Sequence, residues 1–168
     1  EGEGPRVRLL GSGTIFREVI AAADLLREDW GVSAELWGAT SFNELARDGQ
    51  DADRWNLLHP LETPRVGHVS AKLSGGEGPV IAATDYIRLY AEQIRAWVPG
   101  KYVVLGTDGF GRSDTREALR AHFEVNRHWV VLVALKALAD EGKIGRDKLA
   151  AALHKYGISA DKPNPLFA

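Results

Sequence analysis

Apolar residues along this chain follow two periods, and the periods alternate. Val7-Arg8-Leu9-Leu10 predicts a short strand closed by the turn Gly11-Ser12-Gly13. Ile15, Val19, Ala22 and Leu26 then recur near the helical period, and Gly31 predicts the stop. Val32, Ala34 and Leu36 alternate with Ser33 and Glu35, the pattern of a half-buried strand. Pro79 to Ala83 is a continuous apolar run, as in a strand covered on both faces, and Tyr102 to Leu105 predicts another strand. Between them Ile87, Tyr90, Ala91, Ile94, Trp97 and Val98 form one apolar stripe. Arg88, Glu92, Gln93 and Arg95 lie opposite, which predicts a single amphipathic helix ended by Pro99-Gly100. The stretch 129–139 starts with strand-like residues, but its length favours a buried helix running to Glu141-Gly142. Residues 146–156 predict a last helix with Leu149, Ala152, Leu153 and Tyr156 inward.

Polar residues mark the ends of these elements. Ser41-Phe42-Asn43-Glu44 reads as a capping box: the Ser41 hydroxyl takes the Glu44 amide and the Glu44 carboxylate returns to Ser41. A short helix follows, with a break expected at Asp48-Gly49 and another helical turn in 51–58. Pro60 and Pro64 extend the chain beyond it, and Ser74 to Gly78 reads as a flexible connection. Asp114 with Glu117 repeats the capping logic, with Leu119 and Phe123 inward. Four strands alternating with helices predict an α/β fold: three layers, a mostly parallel sheet with helices on both faces, in one domain spanning residues 1–168.

Composition narrows the chemistry. A chain of 168 residues with 45% hydrophobic content suits one core. A net charge of -2 gives no electrostatic case for nucleic acid, which needs a basic stripe. The sequence has no cysteine, which excludes disulfides and thiolate catalysis. No apolar run approaches the ~18 residues that span a bilayer, so no membrane partner is expected, and a cytoplasmic setting is consistent with the composition. The chain holds no methionine and starts at Glu1; an excised piece of a longer protein is expected, the alternative being a removed initiator or tag.

Gly11-Ser12-Gly13 sits where a dinucleotide fingerprint would, but Phe16 occupies the third glycine position, and a phenyl ring there would crowd the helix away from the strand. A tight turn is the preferred reading. The histidines (His59, His68, His122, His128 and His154) show no metal-ligand spacing. Ser12 is not in a nucleophile elbow, and Ser41 and Ser113 read as cap or turn residues. Two segments exceed what connections need. Gly106-Thr107-Asp108-Gly109-Phe110-Gly111-Arg112-Ser113-Asp114 follows a strand at the sheet edge where ligands bind in such folds. It reads either as a glycine turn with a cap or as a functional surface that inserts an aromatic into a neighbour. Arg47 to Asn56 with His59, Glu62 and Arg65 is polar around one large aromatic, Trp55, and reads either as a solvated loop or as a subunit contact.

These segments carry a resemblance. Thr40 to Gln50, Arg54-Trp55-Asn56, Leu58 to Arg65, Thr84-Asp85-Tyr86 with Ala91-Glu92-Gln93, Leu105 to Asp114, and the ending Asp161-Lys162 with Asn164-Pro165 resemble the C-terminal domain of homodimeric bacterial pyruvate dehydrogenase, in the transketolase-like family. The match runs over nearly the whole chain. It implies a parent enzyme that decarboxylates pyruvate on thiamine diphosphate with magnesium and acetylates a lipoyl group. Its partners would be the upstream domains of the same chain, a second subunit and the dihydrolipoyl acetyltransferase component. That family's thiamine signature runs from Gly-Asp-Gly to Asn-Asn. This chain has Thr107-Asp108-Gly109 and no Asn-Asn pair, so the resemblance assigns it no catalytic residue, cofactor ligand or metal ligand. It implies a dimer-buttressing role near the active-site approach, with Asp108, Phe110, Arg112, Asp114, Trp55, His59 and Arg65 as candidate contacts. A free-standing interaction module using residues 106–114 and a small nucleotide-binding protein using Gly11–Gly13 are the alternatives.

Overall fold

The computed structural model describes residues 4–168; Glu1 to Glu3, including the start that pointed to an excised piece, lie outside the described residues. Among the described residues four parallel strands form one sheet: β1 (Arg6–Gly11), β2 (Ser33–Gly38), β3 (Val80–Ala83) and β4 (Tyr102–Leu105), in the order β2-β1-β3-β4. Leu9 pairs with Leu36 on one side and with Ile81 on the other, and Ile81 pairs with Val103. The chain leaves β1 for one edge and returns past it to β3, so the strand order reverses between β1 and β3.

Side chains alternate across the sheet and divide the core in two. Val7, Leu9, Ile81 and Ala83 face α1 (Phe16–Trp30) and a later helix, α6 (Arg127–Asp140). Leu10, Val80, Ala82 and Val104 face α2 (Phe42–Leu58), α3 (His68–Leu73) and α4 (Arg88–Glu92). The fold is therefore α/β with helices on both faces, as the alternation predicts. Helix α6 buries Val130, Val131, Leu132, Ala134, Leu135 and Leu138, and each valine or leucine side chain removed from water stabilises by ~2 kcal/mol. Two helices complete the chain: α5 (Arg116–His122) and α7 (Arg146–Lys155), the latter packed on α6.

One polar residue is buried in the sheet itself. Arg8 is 3% exposed, and its guanidinium donates to the carbonyls of Leu73 at 2.6 Å and Gly78 at 2.8 Å. It thereby ties the end of α3 and the turn before β3 to β1.

Several sequence expectations need correction. The stripe over 87–98 is not one helix. Helix α4 stops at Glu92, and a 3-10 turn, Arg95–Trp97, follows. The turn re-aims Trp97, whose ring lies where a Gly49 Cβ would be, at 2.4 Å, and whose Nε1 donates to Asp53 at 2.9 Å. The same contact explains why α2 runs unbroken through Asp48-Gly49: Gly49 provides space for Trp97 and is not a stop. Ser41 does cap α2, accepting from the Glu44 amide at 3.3 Å, but the Glu44 carboxylate pairs with Arg47 and does not return to Ser41. Leu36 is 40% exposed because β2 is an edge strand. Thr115, not Asp114, caps α5, accepting from the Ala118 amide at 3.2 Å.

Candidate functional site

Reversal of strand order opens a crevice at the carboxyl ends of β1 and β3, the place where doubly wound sheets bind ligands. Three loops line it, following β1, β3 and β4. The result is a cleft of about 600 Å³ with Thr14, Asp85, Thr107, Arg112, Asp114 and Arg116 around it and Ile15, Leu119, Phe123 and Val125 supplying apolar wall. The glycine turn after β1 and the 106–114 loop, separate in sequence, thus share one site.

Hydrogen bonds join the loops. The Ser12 hydroxyl donates to Thr84 Oγ1 at 2.9 Å, and the Thr14 hydroxyl donates to Asp85 Oδ2 at 3.3 Å. Thr107 donates from its amide to the Tyr86 carbonyl at 2.9 Å and from its hydroxyl to the Asp85 carbonyl at 3.0 Å. Asp108 accepts from the Arg88 amide at 3.0 Å and from Arg88 Nε at 2.8 Å. Phe110, in contrast, is 77% exposed, and Arg112 is exposed at the cleft mouth. Asp114 accepts from the Thr115 amide at 2.6 Å, shaping the turn into α5.

Geometry also decides the turn after β1. Phe16 does not displace the helix from the strand. Its ring packs on Gly11, where a Cβ would meet it at 2.7 Å, and a 3-10 turn, Gly13–Ile15, separates β1 from α1. Gly13 has a φ of +54, and a Cβ there would lie 3.2 Å from the Asp85 carboxylate. Both glycines are accounted for by internal packing, and the carboxylate opposes a phosphate at this turn.

Glu18, on α1, anchors the wall behind the cleft and was not visible in the sequence. Its carboxylate is buried and accepts from Arg120 Nη1 at 2.9 Å, the Arg127 amide at 3.0 Å and Arg127 Nε at 3.0 Å. Burial alone raises its pKa, but the Arg127 hydrogen bonds and the charges of Arg127 and Arg120 hold it below the ordinary carboxylate value. In the same last turn of α5, burial and then the charges of Arg112 and Lys162 push the His122 imidazole below its ordinary value.

Trp55, His59 and Arg65 do not line this cleft. They form a cluster of their own at the end of α2. The Trp55 and His59 rings stack at 4.2 Å, and the Arg65 guanidinium lies 4.2 Å from the Trp55 ring. His59 Nδ1 lies 2.8 Å from the Trp55 carbonyl, and Asn56 exchanges two hydrogen bonds with the Arg65 backbone. Among the described residues no three of His, Asp and Glu converge as a metal site.

Comparison with known proteins places this geometry in a family. A profile described as the transketolase-like TK C-terminal domain matches residues 1–126. The chain belongs to the transketolase-like C-terminal domain family. Within that family, it is 69% identical over 96% of its length to the pyruvate dehydrogenase E1 component of Cupriavidus necator. It is 62% identical over 95% to that of Pseudomonas aeruginosa, and 53% identical over 100% to that of Escherichia coli. The chain spans 18% of the length of the first two of these relatives and 19% of the third. A solved structure described as a split gene transketolase, inactive β4 tetramer, shares the fold with a TM-score of 0.54 and 22% identity, over 82% of this chain and 41% of that one. The family profile ends just before α6, yet α6 covers β3 and β4, so this transketolase-like domain needs the residues that follow to close its core.

Proposed function

We propose that residues 1–168 are a single C-terminal domain of a pyruvate dehydrogenase E1 component and that the domain serves the enzyme by packing, not by chemistry. The observation that carries this is the 69% identity over nearly the whole chain to a relative of which it spans 18%. On this reading the whole enzyme is a cytoplasmic homodimer. It decarboxylates pyruvate on thiamine diphosphate with magnesium and passes the acetyl group to the lipoyl arm of dihydrolipoyl acetyltransferase.

The residues of the cleft do not fit that cofactor. Asp108 is committed to Arg88, and no group of three His, Asp or Glu side chains converges among the described residues. What the loop offers is a shaped edge. Asp108 and Asp114 hold its form, while Phe110 and Arg112 are free for contact with the upstream domains or the second subunit. Trp55, His59 and Arg65 would form a second, self-supporting contact, beside the exposed Leu57 and Leu61.

The test uses the full-length enzyme carrying this domain. Replacing both Phe110 and Arg112 by alanine is expected to weaken dimerisation in sedimentation and to lower turnover, because exposed aromatic and arginine side chains anchor interfaces. Wild-type behaviour in both measurements would remove the interface assignment. Calorimetry of the 168-residue chain with thiamine diphosphate and magnesium is expected to show no saturable heat, and tight binding would overturn the packing role.

A further inference from the structure

Another segment reaches the 106–114 loop from the opposite end of the chain. Pro165 is buried although it lies in the last stretch of sequence. A Cβ on Gly109 would stand 2.2 Å from the Pro165 carbonyl oxygen, and Gly109 has a φ of +114. Loop and tail backbones are therefore in direct contact, and glycine is the residue that permits it. A second tie lies next to it. Lys162 Nζ donates to the His122 carbonyl at 2.9 Å and to Glu124 Oε1 at 2.9 Å, and it sits 5.6 Å from the Trp129 ring. Asn164 fixes the turn between these ties, accepting from the Leu166 amide at 2.9 Å.

Glu124 is what makes this arrangement informative. It holds a left-handed φ of 63 without being glycine. Val125 donates to the Arg120 carbonyl at 3.0 Å and Glu124 to the Ala121 carbonyl at 3.4 Å, the pairing that closes a helix end. Helices α6 and α7 close with the same pairing, and there the left-handed residues are Gly142 and Gly157. Helix α5 alone among these three carries a side chain at that position, and its carboxylate is the one that holds Lys162.

We propose that residues 161–168 are a strap that holds the 106–114 loop in shape, with Lys162 and Pro165 as positioning residues for the edge that carries Phe110 and Arg112. The strap rests on the interface reading for its consequence; its own test does not depend on that reading. The probes are the Thr107 amide, bonded to Tyr86, and the Arg88 amide, bonded to Asp108. Hydrogen exchange at both is expected to accelerate about tenfold in a chain ending at Asp161 and in Lys162→Ala, with Ile81 and Ala82 in the sheet unchanged. Lys162→Arg keeps the charge and donors and is expected to restore most of the protection. Gly109→Ala is expected to accelerate the same two amides in the whole chain more than in the shortened one, because its clash is with the tail. Unchanged rates at Thr107 and Arg88 in both tail variants, or equal acceleration throughout the sheet, would overturn the strap. Faster exchange combined with normal dimerisation of the Phe110→Ala, Arg112→Ala enzyme would keep the strap and remove the interface.

Discussion

Around Trp55 the chain closes on itself, whereas around Phe110 it reaches outward. Both segments are polar, glycine-punctuated and built about one large aromatic. In the first, stacking with His59, the guanidinium of Arg65 and the paired bonds of Asn56 all come from residues within one short stretch. In the second, the ties at the base come from elsewhere, Tyr86 and Arg88 after β3 and Pro165 from the tail, and only Asp114 is bonded locally, to Thr115. Phe110 itself stays 77% exposed. A locally satisfied cluster stabilises its own turn and would meet a partner as a preformed surface. A loop held at its base by distant segments has its tip free, and its shape depends on the whole fold.

The largest test of this contrast is Glu18→Ala. It leaves Arg120 and the Arg127 amide without their buried acceptor and is expected to cost about 3 kcal/mol in denaturant unfolding. The damage should spread to α5 and the 106–114 loop, while the Trp55 cluster keeps its exchange protection. If both regions loosen together, the two are not independent. Because the folded-state pKa of Glu18 is depressed, its contribution is complete above the unfolded carboxylate pKa and is lost as pH falls through the lower folded value. Wild-type stability should therefore fall more steeply below about pH 4 than that of Glu18→Gln, as urea midpoints would show.

Asp108→Ala should have a smaller and more local effect. The Arg88 pair is partly exposed, so about 1 kcal/mol is expected, read as faster exchange at the Arg88 amide. A loss of Trp55-cluster protection in this variant would contradict the separation. Smallest of all is Arg65→Ala, with about 0.5 kcal/mol from an exposed cation over an aromatic ring. A double-mutant cycle with Trp55→Leu should recover most of that value as coupling, and exchange at Thr107 should not move. A coupling near zero would mean that the ring and the guanidinium are neighbours without mutual stabilisation.

Much of the fold was legible because the governing physics is local. The strands over 7–10, 79–83 and 102–105, the Gly31 stop, the Ser41 cap and the buried helix after 129 were all correctly placed by period, length and cap chemistry. The failures share a cause. A helix was expected over 87–98 because six apolar residues fit one stripe, but Trp97 is drawn to Gly49 on another helix and Tyr90 remains 41% exposed. Gly49 reads as a breaker from the sequence for the same reason, since the partner that needs the space lies far along the chain. Of the site, the 106–114 loop and the Gly11–Gly13 turn were recognised separately. Asp85 stood in one of the resembling strings with no role attached, and Glu18 read as an ordinary helical acid.

The order of residues, by itself, settled the four strands, the helices after Gly13, after 129 and after 146, the Ser41 cap, and which family the chain resembles, because propensity, period and motif are properties of neighbours in sequence. Folding in three dimensions decided that two glycine-rich turns line one cleft, that Phe16 fills the place of a missing Cβ on Gly11, and that the tail supports the loop. Those facts depend on contacts between residues far apart along the chain, and such contacts form when the sheet order and the packing of its two faces bring them within reach.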